Sequence, residues 1–185
     1  MKRLNLLTPL AVATALAGCN SAPSVTATNA SVEEVSNKLA AASADGQFLS
    51  PGRWETTMTI TDMAVPGVPP GAIEKMKAKM GKGRTIASCL TPEEAKAPKG
   101  NFFGAQSDCV YDHYTMAGGK IDAKMVCKAE GHSRTVALAG TYGPDTYNMA
   151  VDSSASGAPG PMGSVSVKMK MEARRTGACT GTENR

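Results

Sequence analysis

The sequence predicts a mainly β domain: an antiparallel meander forming a curved sheet or partial barrel, with one or two short helices, stapled by disulfides. Three observations carry this expectation. Five or six runs of alternating apolar and polar residues follow Pro51, joined by short turns. One pair of runs flanks Ala117-Gly118-Gly119, a glycine-rich hairpin signal. Four cysteines remain once Cys19 is set aside, an even number without CxxC spacing.

The N-terminus reads as a secretory leader. Lys2 and Arg3 form a basic n-region, Leu4 to Leu16 a short apolar h-region, and small residues follow. Leu16-Ala17-Gly18-Cys19 resembles the bacterial lipobox. The resemblance implies a signal peptide over residues 1–18, a diacylglyceryl group on the Cys19 thiol, and acylation of its new amine. Each buried CH₂ contributes about 0.8 kcal/mol, so two or more chains make a stable anchor where one does not. Asn20, which is not Asp, resembles the outer-membrane sorting default of Gram-negative lipoproteins, with the domain facing the periplasm. Residues 19–50 are rich in Ala, Ser, Thr and Asn and are expected to form a lipidated tether. One short helix is expected there: Ser31 and Glu34 make a capping box, Val32, Val35 and Leu39 recur at helical spacing, and Gly46 stops it.

The β domain is expected over residues 51–185. Trp54, Thr56, Met58 and Ile60 share one face of the first strand. Pro69-Pro70 opens a helix from Gly71 to Met80, with Ile73, Met76 and Met80 on one side and Gly81 as its stop. Thr91-Pro92-Glu93-Glu94 reads as an N-cap with proline at the first helical position. Val136 and Leu138 mark a strand ended by Gly143-Pro144-Asp145, and Tyr147, Met149 and Val151 alternate along the next. After a loop at Gly157-Ala158-Pro159-Gly160-Pro161, Val165, Val167, Met169, Met171 and Ala173 face inward.

The hairpin selects among the three connectivities that four cysteines allow. With Ala117-Gly118-Gly119 as the loop, Cys109 faces Cys127, Tyr111 faces Met125 and His113 faces Ala123. The other face then pairs Asp108 with Lys128 and Asp112 with Lys124. A two-residue Gly-Gly loop would mix polar and apolar residues on both faces. Cross-strand pairs contribute about 0.2–1 kcal/mol each, so the first register is preferred. Cys109–Cys127 is therefore the expected bridge, and Cys89–Cys179 follows by elimination.

Four segments taken in order resemble a bacterial family of domains of unknown function, family 3617. They are Pro51-Gly52-Arg53-Trp54-Glu55, Cys89-Leu90-Thr91-Pro92-Glu93, the cysteine-flanked hairpin, and Arg174-Arg175-Thr176-Gly177-Ala178-Cys179. The resemblance spans Pro51 to Cys179. It implies an envelope protein and supplies no catalytic residues. The family's Met-Pro-rich segment is only approximated by Met63-Ala64-Val65-Pro66-Gly67 and Pro69-Pro70.

Composition excludes several functions. Aromatics are 4% of the chain, too few for a base-stacking platform. The net charge of +4 loses Lys2 and Arg3 with the leader and does not suit a polyanion binder, so no nucleic-acid partner is expected. No nucleophile elbow, HExxH, GxGxxG or P-loop is present. His113 and His132 sit on separate elements, and His113 is expected as a satisfied histidine on the apolar hairpin face. No catalysis and no cofactor are predicted. The basic residues Lys75, Lys77, Lys79, Lys82 and Arg84 around the Ile73 helix are read as a solvated face, with anionic lipid near the anchor as the functional alternative. Methionine is abundant at 11 residues. Plain core filling is the leading reading for it. Met169 and Met171 also supply thioethers suited to Cu(I), although Lys168 and Lys170 bracket them. The expected function is a non-enzymatic binding or interaction module, held to the membrane by lipid. Its methionine-rich concave face would take an apolar molecule or a protein partner, with soft-metal (copper) binding as the alternative.

Overall fold

From Cys109 onward, alternating runs joined by short turns pair each strand with the next. The computed structural model describes residues 23–44, 46–80, 83–98, 108–129, 131–157 and 163–183. They form β1 (Val25–Ser31), α1 (Val32–Ala44), β2 (Gly52–Ala64), α2 (Pro70–Met80), β3 (Arg84–Leu90) and α3 (Pro92–Lys96). Then come β4 (Cys109–Ala117), β5 (Lys120–Ala129), β6 (His132–Gly143), β7 (Thr146–Ser156) and β8 (Ser164–Gly177). The eight strands lie in the order β1-β4-β5-β6-β7-β8-β2-β3, every neighbour antiparallel. The sheet is open, with β1 and β3 as its edges. The expected mainly β, antiparallel, disulfide-stapled fold is thus present. Gly81, Lys82, most of the 157–161 loop and the whole leader with Cys19 lie outside the described residues. No helix among the described residues is long and apolar enough to cross a membrane.

β1 and β2 flank the meander on opposite sides, so the chain between them must cross one face of the sheet. α1 makes that crossing. One half of the expected capping box forms, the Glu34 amide donating to Ser31 Oγ at 3.1 Å, while the Glu34 carboxylate pairs with Lys38 at 3.3 Å. Val35 and Leu39, four residues apart, are buried against the sheet. α1 packs on β1 and β4 and also touches α3, which follows the opposite edge strand. A helix can bridge the two flanks in this way only if the sheet curves around it. Gly140, on β6, sits where strands approach closely: a β-carbon there would lie 2.8 Å from Met149 Cα and collide with the Asn148 carbonyl. Gly140→Ala is expected to destabilise the domain by about 1–3 kcal/mol, read as a lower urea midpoint.

The tether expectation is corrected from Val25 onward. Val25, Ala27, Ala30, Val35 and Leu39 belong to the same buried cluster as the meander. Composition alone misjudged this stretch. A strand that adds to an existing edge receives its hydrogen bonds from β4, and small residues suffice for its share of the core.

The hairpin is also corrected in part. Cys109 pairs with Cys127 and Tyr111 with Met125, as expected, but beyond them His113 pairs with Lys124 and Ala117 with Lys120. Asp112 is the extra residue of a β-bulge. Both registers therefore occur, one on each side of the bulge. Gly118 (φ 56°) and Gly119 (φ 74°) make the two-residue turn, whose left-handed backbone suits glycine. The bulge switches which residues face the core, from Cys109 and Tyr111 to Tyr114 and Met116. β1 switches at the same level, from Val25 and Ala27 to Ala30, with Asn29 (φ 50°) between the Thr28–His113 and Ala30–Tyr111 pairs. His113 consequently leaves the apolar face. It is half-exposed, and its Nε2 lies 2.7 Å from Asp122 Oδ1. The Asp112–Lys124 ion pair forms as expected, at 2.9 Å.

Both expected disulfides are present, Cys109–Cys127 and Cys89–Cys179. They sit at opposite ends of the sheet. Val25, Ala117, Gly143, Thr146, Gly177, Gly52 and Leu90 mark the end where Cys89–Cys179 lies. Ser31, Cys109, Ala129, Ser156 and Ala64 mark the other, where α2 follows β2.

Beyond Cys179 the tail closes on Glu183, whose side chain is covered and lies 3.4 Å from Arg53 Nε. The backbone N–H of Thr180 donates to its carboxylate at 2.8 Å, joined by the Thr180 hydroxyl and the Gly181 N–H. Those donors, Thr180 first, push its pKa down from 4.5 to about 2. The stability it contributes is full above pH 4.5 and is lost as pH falls toward 2. Glu183→Gln is therefore expected to lower stability at neutral pH, where the carboxylate contributes in full, and to flatten the acid-unfolding curve between pH 4.5 and 2, where the two proteins converge.

Candidate functional site: an apolar cavity

Inward alternation on a curved sheet brings large side chains toward one another, and at the Cys89–Cys179 end they do not fill the space. A cavity of about 330 Å³ remains, a size typical of small-ligand sites. β2 contributes Trp54, β7 contributes Tyr147 and Met149, and β6 contributes Tyr142. β4 and β5 add Tyr114, Met116 and Ile121, and α1 adds Leu39. Phe48 and Leu49, between α1 and β2, complete that side.

The lining is held rigidly. Trp54 stacks on Tyr147 with centroids 5.7 Å apart, and its indole N–H donates to Ser50 O at 3.0 Å. Tyr147 Oη meets Thr56 Oγ1 at 3.0 Å. Phe48 meets Tyr142 edge-on at 5.8 Å, and the Tyr114 hydroxyl donates to Met116 Sδ at 3.4 Å. Burial raises the pKa of Tyr114, Tyr142 and Tyr147, so these phenols stay neutral at physiological pH.

β3 and α3 form the remaining wall. Pro92 starts α3 where its missing N–H is harmless, Thr91 Oγ1 accepts from the Glu94 N–H at 3.2 Å, and Glu94 Oε2 accepts from the Thr91 N–H at 2.9 Å. Glu94 is the one charged residue among the described lining residues, and this capping box engages it. Cys89 sits in the same wall, and its disulfide ties it to the end of the chain.

The sequence motifs converge on this end. Arg175 Nε donates to Pro51 O at 2.7 Å, and Arg174 Nη2 and Arg53 Nη1 both reach Glu55, at 3.3 and 3.0 Å. Thr176 Oγ1 donates to Arg53 O at 3.3 Å. These contacts sew β2 to β8, and Trp54 between them is buried in the core. The two arginine-bearing motifs and the Cys89–Glu93 motif thus build one structure, the rim and wall of the cavity. Residues 49–179 match the family described as "Protein of unknown function (DUF3617)". The chain belongs to this family. No curated protein and no solved structure matches it.

The other candidate residues lie elsewhere. His113 and Asp122 pair on the face away from the core. Met169 and Met171 face inward and pack against the core, half-buried, outside the cavity lining. Their flanking lysines point the other way and are paired, Lys168 with Asp152 at 3.6 Å and Lys170 with Glu172 at 2.8 Å. α2 and its lysines sit at the end opposite the cavity, with Met76 and Met80 exposed. Sequence reasoning missed the aromatic character of the site. The chain has one Trp, four Tyr and three Phe, and the Trp, three of the Tyr and one Phe line this cavity. Tyr114 and Met116 were the available signal, because the unbulged register would have left both large side chains facing water.

Proposed function

We propose that this chain is a non-enzymatic binding module of the bacterial envelope that holds an apolar molecule in the aromatic cavity. The cavity carries this reading: it is closed in by Trp54, Tyr147, Phe48 and Tyr142, and its phenols are neutral. On the same proposal Cys19 bears the lipid anchor, with the domain at the outer membrane facing the periplasm. The first described residues and the cavity lie at one end of the sheet, which supports a binding site held near the membrane. A ligand that binds only the folded protein raises its stability by about 2.7 kcal/mol at a hundredfold excess over Kd. Thermal unfolding with envelope lipid extract is expected to show a higher Tm, and no shift would reject the reading in favour of a protein partner. Cys19→Ala is expected to give an unprocessed, unacylated precursor by lipid labelling and fractionation; unchanged labelling would remove the anchor.

One observation favours copper as a second reading. Met58 and Met149 both lie opposite Met171 on neighbouring strands, so three thioethers share one row on the inner face. A Cu(I)-induced Tm shift that Met169→Leu/Met171→Leu abolishes would support it.

A further inference from the structure

Beside the cavity, an apolar row begins at Met149, which lines it. Met149 and Met58 flank Met171, Val151 and Ile60 flank Met169, and Ser153 and Met63 flank Val167, all on the inner face. From there the row runs along β8 over the six rises between Ala173 and Val167, about 20 Å at the rise of a strand. On β5 and β6 the inner residues Ala123, Met125, Val136 and Leu138 are almost fully buried, whereas Met58, Ile60, Val167, Met169 and Met171 are only half-buried. The inward positions carry no charge, because Lys168, Lys170 and Glu172 alternate to the outer face. A compact molecule needs only the cavity; a row this long and uncharged fits a linear hydrocarbon. Flexible thioethers adapt to such a chain better than branched side chains do.

We infer that the cavity and the methionine row form one binding track for the single hydrocarbon chain of a fatty acid, with the cavity holding one part of the chain and Met58, Met169 and Met171 the rest. This deepens the apolar-ligand reading and rests on it. The lone tryptophan, Trp54, lines the cavity and reports occupancy by fluorescence.

Titrating the full chain with octanoate, decanoate, myristate and palmitate is expected to raise affinity about fourfold per added methylene through myristate. Met169→Gln/Met171→Gln should flatten the rise beyond decanoate while leaving octanoate affinity unchanged, which also shows the cavity still folded. Met169→Leu/Met171→Leu should keep the rise. An affinity that levels off at octanoate in the unaltered chain, or a rise that the Gln pair leaves intact, would overturn the track. If 1-naphthol quenches Trp54 and no alkanoate binds, the track fails and the cavity reading survives; if neither binds, both fail. Equal quenching by vesicles of two-chain phospholipid with brominated acyl groups would overturn the single-chain assignment.

Discussion

Changing Cys89 and Cys179 together to serine is expected to lower the unfolding free energy by about 4.6 kcal/mol, the loop-entropy value for a separation of 90 residues. The corresponding change at Cys109 and Cys127, separated by 18 residues, should lower it by about 3.2 kcal/mol. Urea denaturation of the two variants checks the order. They should also differ in function. Cys89 stands in the cavity wall beside α3, so losing its bridge releases β3, an edge strand with β2 as its one strand partner. Ligand affinity should fall with stability. The Cys109–Cys127 bridge lies at the opposite end of the sheet, and its loss should leave affinity unchanged in whatever fraction stays folded. Equal loss of affinity in both variants would mean that the cavity depends on global stability and not on its own wall.

Trp54→Ala is expected to destabilise by about 3–5 kcal/mol, the range for emptying a buried aromatic site. Trp54 is 3% exposed, stacks on Tyr147 and donates to Ser50 O, so the substitution loses packing, a ring contact and a hydrogen bond together. It also widens the cavity where ligand would sit. Trp54→Phe keeps one aromatic ring against Tyr147 and gives up the indole N–H and part of the buried ring area. It should recover most of the stability, and its affinity for octanoate, read by calorimetry because both changes remove the lone tryptophan, should fall much less than that of the alanine variant. If Trp54→Ala lowered stability and left ligand binding unchanged, the residue would be core and not site.

Much of this protein was legible along the chain because the relevant signals are local. The inward faces of β7 and β8, from Tyr147 to Val151 and from Val165 to Ala173, follow from period-two alternation, which one strand displays by itself. The caps of α1 and α3 follow from residues three positions apart, and the Cys109–Cys127 bridge from the pairing nearest to it. Local signals failed where a neighbour decided the outcome. β1 exists because β4 offers it an edge, which the Ala- and Thr-rich stretch cannot announce. The bulge at Asp112 exists because turning Tyr114 and Met116 into the core outweighs one interrupted ladder step, and His113 moved outward as a consequence. The alternation, the helix caps and the disulfide pairs were therefore determined by the sequence itself. The cavity was decided only by the tertiary structure. Its Trp, Tyr and Phe residues come from strands and a loop far apart in the chain, and they meet because the sheet curves around α1 and closes on α3, a geometry set by packing and not by the spacing of residues along any one strand.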